Sequence, residues 1–136
     1  MKNFTISAIL MVFAFLGTSF AQTKTINVKL KQEFSLSANQ KAYVKTDKLN
    51  IEFVSVLEDS RCPTDVNCVW AGNAKVQIKV SKGKMAAQIF ELNTNLEPQI
   101  ITFQGYKIEL TNLTPELKSD VNKDTVKYSA SFMVRK

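Results

Sequence analysis

Histidine is absent from the 136 residues of the chain. Without an imidazole there is no Ser-His-Asp or Cys-His catalysis, and the commonest zinc ligand is missing. Glycine is scarce, at four residues, and these are too scattered to form a loop that cradles phosphate. Arginine is scarcer still. Arg61 and Arg135 stand alone without a row of aromatic residues beside them, so nucleic-acid binding is not expected. After the first stretch no apolar run approaches the roughly 20 residues of a membrane-spanning helix, and no segment keeps a helical period.

The carboxylates offer no legible pair. Glu52, Glu91 and Glu109 fall on different expected strands, where outward-facing acids are ordinarily solvated, so the two converging carboxylates of a glycoside hydrolase cannot be read from them. Met85 and Met133 read as strand packing rather than copper ligands. No catalytic residue, metal site or cofactor is expected.

What is present begins with an export signal. Lys2 supplies a minimal positive charge, an apolar run follows over 6–16, and Ser19-Phe20-Ala21 places small residues where a signal peptidase reads them. Residues 1–21 are expected to be a cleaved signal peptide. The run of about eleven residues is too short for roughly 30 Å of hydrocarbon. Residues 22–136 then form a single domain, large enough to bury its own core, exported to the periplasm or the cell exterior. Lys2 leaves with the signal, so 17 cations face 12 acids, a net charge of +5. That excess reads as a solvated basic face, with attraction to anionic glycans, lipid headgroups or acidic proteins as the functional alternative.

The pattern after residue 24 is one of short strands. Ile26, Val28 and Leu30 alternate with polar residues, and Phe34 and Leu36 extend the same pattern. Leu49, Ile51 and Phe53 alternate, then parity switches at Val54 and Val56, which a bulge or burial on both faces would explain. Residues 74–80 and 85–92 flank a turn at 81–84 and form the firmest hairpin. Two short strands meet at Gln104-Gly105, and 126–134 alternates most cleanly of all. Residues 114–124 read as a long exposed loop, with at most one helical turn at 116–121. All three prolines fall between strands. The expected fold is an all-β, antiparallel β-sandwich of about eight strands, immunoglobulin-like in architecture, with a small closed barrel as the alternative.

One stretch departs from this pattern. Residues 58–72 hold both cysteines, a proline, a glycine and the only tryptophan. In an oxidising compartment Cys62 and Cys68 are expected to form a disulfide around five residues. Ring closure that short contributes about 2 kcal/mol, enough to shape a loop and too little to support a whole domain. The run Asp59-Ser60-Arg61-Cys62-Pro63, four residues, then Cys68-Val69-Trp70-Ala71-Gly72 resembles a motif of small secreted or lipid-anchored bacterial proteins of uncharacterised function. That resemblance implies export and a shared architecture but no activity.

Three readings of the stretch follow from its residues. In one, Trp70 packs over the disulfide as a core anchor, Arg61 pairs with Asp59 or Asp65, and Gly72 relieves backbone strain. In another, the ring presents a pre-organised contact surface with Asp59, Arg61, Pro63, Asp65, Asn67 and Trp70 as its candidate residues. In the third, Asp59, Asp65 and Asn67, with Glu58 as a further candidate, supply oxygen ligands to calcium. The expected function is an exported, non-enzymatic binding or structural domain, its partner an envelope protein or an anionic glycan. The alternatives are a metal-binding accessory protein, a protease inhibitor or a carboxylate-based hydrolase.

Overall fold

Period-two burial carries through into nine strands among the described residues of the computed structural model, which are Gly17 and 24–136. The expected signal peptide and its cleavage site therefore lie outside the described residues, Gly17 excepted. The strands are β1 (Thr25–Asn27), β2 (Phe34–Ser37), β3 (Lys41–Val44), β4 (Leu49–Asp59), β5 (Ala74–Lys82), β6 (Gln88–Asn93), β7 (Ile100–Phe103), β8 (Tyr106–Thr114) and β9 (Ser129–Arg135). They form two sheets, ordered β1-β3-β4-β5-β6 and β2-β9-β8-β7. Neither sheet closes on itself, so the fold is an all-β sandwich and the barrel alternative falls away.

The expectation of one strand pattern running from Ile26 to Leu36 is corrected. β1 belongs to one sheet and β2 to the other. Between them Lys31 takes a left-handed φ of 62° and donates its backbone N–H to Val134 C=O at 2.8 Å. The chain crosses sheets for β2 and returns as β3 beside β1. This crossover makes β1–β3 the sole parallel pair among the described strands, because a strand in the other layer separates them.

The core fills the space between the sheets. Leu36, Ile108, Phe132 and Val134 from one layer meet Ile51, Phe53, Val76, Ile78 and Leu92 from the other, all fully buried. Phe132 sits near the centre, 6.0 Å from the Phe34 ring and 6.4 Å edge-on from Phe53. Each such side chain contributes about 1.5–3 kcal/mol on burial. The apolar layer, not the disulfide, holds the sheets together.

Two register shifts in the β4–β5 ladder, at Phe53/Ser55 and Val56/Glu58, account for the parity switch. Bulges re-aim the side chains that follow them. Here the second brings Asp59 to the buried side of the last β4 position. The β5–β6 hairpin forms as expected, but β6 starts only at Gln88, so Met85 lies exposed in the connection rather than in a strand. Between β7 and β8 a two-residue turn places Gln104 at φ 49° and Gly105 at φ 82°, the left-handed pair of a type I′ hairpin. Asn tolerates that conformation better than Gln, so Gln104→Asn is expected to stabilise the domain by about 0.5 kcal/mol in chemical denaturation.

Candidate functional site

The cysteine loop rises from the far ends of β4 and β5. Its stalk continues their ladder, with Ser60 N–H donating to Asn73 C=O and Cys62 N–H to Ala71 C=O, both at 2.8 Å. Between those rungs Gly72 sits at φ 75°, where a Cβ would fall 1.9 Å from the Ser60 carbonyl oxygen. No other residue fits there. Beyond the stalk Cys62 and Cys68 are bonded, with Cα atoms 5.9 Å apart.

A buried ion pair fixes the base. Arg61 Nε and Nη2 donate to Asp59 Oδ1 and Oδ2 at 2.9 and 2.8 Å, a bidentate fork. The Arg61 backbone N–H and the Tyr128 hydroxyl add two more donors to the same carboxylate. Two further guanidinium hydrogens reach across to the end of β8 and the residue just past it, Nη1 to Leu113 C=O at 2.7 Å and Nη2 to Pro115 C=O at 2.9 Å. Lys123 Nζ donates to the Asp59 carbonyl. Burial works against the Asp59 charge, but the bonds from Arg61 and Tyr128 outweigh it and hold its carboxyl below the usual range. Burial, with the Asp59 carboxylate beside it, pushes the Tyr128 phenol up to about 12.

The segment after β8 docks against the loop rather than hanging free. Thr64 N–H donates to Leu117 C=O at 2.9 Å, and Asp65 accepts from the Ser119 N–H and hydroxyl at 2.9 and 2.7 Å. Leu117 is buried, and the single helical turn is a 3-10 turn at Lys123–Thr125, not at 116–121. On the other flank the buried Asn73 amide donates to Asn93 Oδ1 and accepts from the Asn95 and Leu96 N–H groups. Asn95 Nδ2 in turn donates to Gly72 C=O. Three loops are thus tied to one stalk.

The residues expected at the contact surface divide sharply. Asp59 is buried and Arg61 nearly so, their polar atoms spent inside the protein. Pro63 is half-buried and Asp65 is engaged with Ser119. Asn67 and Trp70 are exposed. Trp70 is 57% exposed, so it is not the core anchor expected of it. The base is closed instead by the Asp59–Arg61 pair and Leu117. The calcium reading loses its ligands for the same reason, since Asp59 turns inward and Asp65 faces Ser119. Among the described residues no cluster of three or more acids or cysteines is placed to hold a metal.

Sequence reasoning passed over the tip's aliphatic residues. Val69 is fully exposed and Val66 is 44% exposed, so with Trp70 three apolar side chains stand on one short loop. The available signal was two valines on either side of Cys68, just ahead of a tryptophan and with no strand alternation. Elsewhere, Glu91 lies 3.8 Å from Lys75 and Glu109 3.0 Å from Arg135, while Glu52 faces Lys41 and Lys79 across the ladder. Those carboxylates stand apart, each beside its own cation.

No protein-family model, curated protein or solved structure matches the chain.

Removing one partner of a buried pair leaves the other charge uncompensated, at a cost of about 3–5 kcal/mol. Asp59→Ala is expected to lose that much stability in urea unfolding. Because folding lowers the Asp59 pKa, its contribution is present above the unfolded value near 3.9 and is lost as pH falls through the folded value. Tyr128 acts in the opposite sense, its contribution present below about 10 and lost as pH rises towards 12. Thermal midpoints should therefore fall at both extremes, and Asp59→Asn should flatten the acid limb. Trp70→Ala, by contrast, should change stability by less than about 0.5 kcal/mol, with native tryptophan emission already near that of a solvated indole.

Proposed function

We propose that this chain is an exported, non-enzymatic binding domain that presents its cysteine loop to a protein partner of the cell envelope or exterior. The carrying observation is the exposure of Val66, Val69 and Trp70 on a loop whose base is fixed by a buried ion pair. Scattered apolar residues on a surface are ordinary, but a cluster on a rigid projection marks a contact site. Tryptophan is the residue most enriched at interface hot spots. Val66 lies inside the ring closed by Cys62 and Cys68, and Val69 and Trp70 lie between Cys68 and the Ala71 rung of the stalk, so the cluster loses little further entropy when it docks.

Charge narrows the partner. Residues 57–72 and 115–125 hold six carboxylates against three cations. The surroundings of the loop are thus acidic, although the chain as a whole is basic. An anionic glycan is a poor match for this face. A protein with an apolar socket and a basic rim fits both the tip and its border.

Affinity capture from envelope extract should retain a protein on the wild-type domain that the Val69→Ser/Trp70→Ala double variant fails to retain. Titrating that protein onto the wild-type domain should shift tryptophan emission to the blue as Trp70 leaves water. Equal retention by the variant, or emission that does not move, would sink this assignment.

A further inference from the structure

The end of the sandwich opposite the cysteine loop carries a second, independent feature. β4 separates the two ends by roughly 30 Å at about 3.3 Å per residue. At this far end Gly83 N–H donates to Lys48 C=O, Lys31 N–H donates to Val134 C=O, and Lys107 pairs with Arg135 across the β8–β9 ladder. Turns from both sheets are thereby gathered together. Residues 28–33, 45–48, 82–84, 104–107 and 135–136 contain nine lysines and arginines against Glu33 and Asp47 alone.

Those two acids are already engaged. Asp47 accepts from the Tyr106 hydroxyl at 2.5 Å and the Thr46 hydroxyl at 2.6 Å and lies 3.9 Å from Lys136 Nζ. Glu33 accepts from Thr111 on β8. Lys29, Lys31, Lys45, Lys48 and Lys84 are exposed and have no carboxylate within ion-pair distance among the described residues. Two of them, Lys31 and Lys48, sit at φ 62° and 52°, where glycine or asparagine is the easier occupant.

Beside them lies an apolar groove of about 410 Å³, lined by Asn27, Val28, Leu30 and Thr46 with Lys29 and Lys45 among its walls. Val28 and Leu30 are only half-buried. Lysines around an apolar floor match a ligand with an anionic head and a hydrocarbon body. Their stems can lie along acyl chains while the ammonium groups meet phosphate. Nucleic-acid bases and sugar rings pack their apolar faces on aromatic side chains, and this groove is lined by none.

We infer that this basic end is a docking face for an anionic lipid surface, with Val28 and Leu30 as the apolar floor and Lys29 and Lys45 contacting headgroups. The interaction is shallow and salt-sensitive, since exposed charges are screened within about 8 Å at physiological ionic strength. Docked this way, the domain points Trp70 away from the membrane. The inference does not rest on the partner assigned to that loop.

Every described strand and core residue lies within 24–136, so a chain beginning at Gln22 carries the whole described fold. That chain should co-sediment with phosphatidylcholine vesicles containing phosphatidylglycerol and not with phosphatidylcholine alone. High salt should release it. Lys29→Glu/Lys45→Glu, both at exposed positions, should weaken partition about twentyfold or more, given about fivefold per lysine. In a Trp70→Phe background, Thr46→Trp should shift to the blue on the anionic vesicles, whereas Trp70 in the wild-type chain should not shift. Unchanged partition of the double variant, equal binding to neutral vesicles, or a blue shift of Trp70 would each overturn the assignment. Retention on heparin without vesicle binding would also overturn it, in favour of a soluble polyanion.

Discussion

The organisation of the loop-bearing end depends on the Asp59–Arg61 pair. A buried carboxylate is tolerable only when its acceptor sites are filled, and four donors from Arg61 and Tyr128 fill those of Asp59. The guanidinium is satisfied in turn by carbonyls of Leu113 and Pro115. This arrangement reaches three parts of the chain distant in sequence. Apolar packing holds the two sheets together but is non-directional. The ion pair supplies direction, setting the stalk of the cysteine loop at one angle to β8 and β9. Its worth lies more in that specificity than in net stability, because desolvating both charges offsets much of their attraction.

A second constraint is the separation of charge. The loop-bearing end is acidic with an apolar tip, and the opposite end is basic with an apolar groove. A net charge of +6 spread evenly over the chain would describe only solubility. Divided between the ends of one sandwich, it gives two faces of opposite sign, which is the basis of the two proposed contacts. Neither sheet's inner face is available for binding, since the core occupies it. The outer sheet faces and the connecting loops remain accessible, and the two clusters of loops differ in sign.

Strand positions were legible wherever one face is buried and the other wet, because period-two alternation records that asymmetry directly. β5 and the bulge in β4 were readable on this basis. The crossover at Lys31 was not, since Val28 and Leu30 keep the same alternation whichever sheet follows. Trp70 misled for a related reason. A lone tryptophan beside a disulfide suggests an anchor, yet the space beneath the loop is taken by Arg61 and Leu117, the latter arriving from more than forty residues away. The sequence left Arg61 to pair with Asp59 or Asp65, and the burial of the Asp59 pair followed from the second bulge, which a parity pattern interrupted at Leu57 and Glu58 does not reveal. The basic end was spread through five separate segments, so composition disclosed the excess of lysine without its location.

The disulfide takes its meaning from these neighbours. A ring of this size limits the conformations of residues 62–68, but alone it leaves their orientation unset. Orientation comes from below, through Gly72, whose lack of a side chain lets the stalk close on Ser60, and through Asn73, which ties the same stalk to 93–96. With position and shape fixed by separate devices, the tip need not contribute to the core. Val69 and Trp70 are thereby free of any packing duty, which is the condition that the proposed contact surface requires.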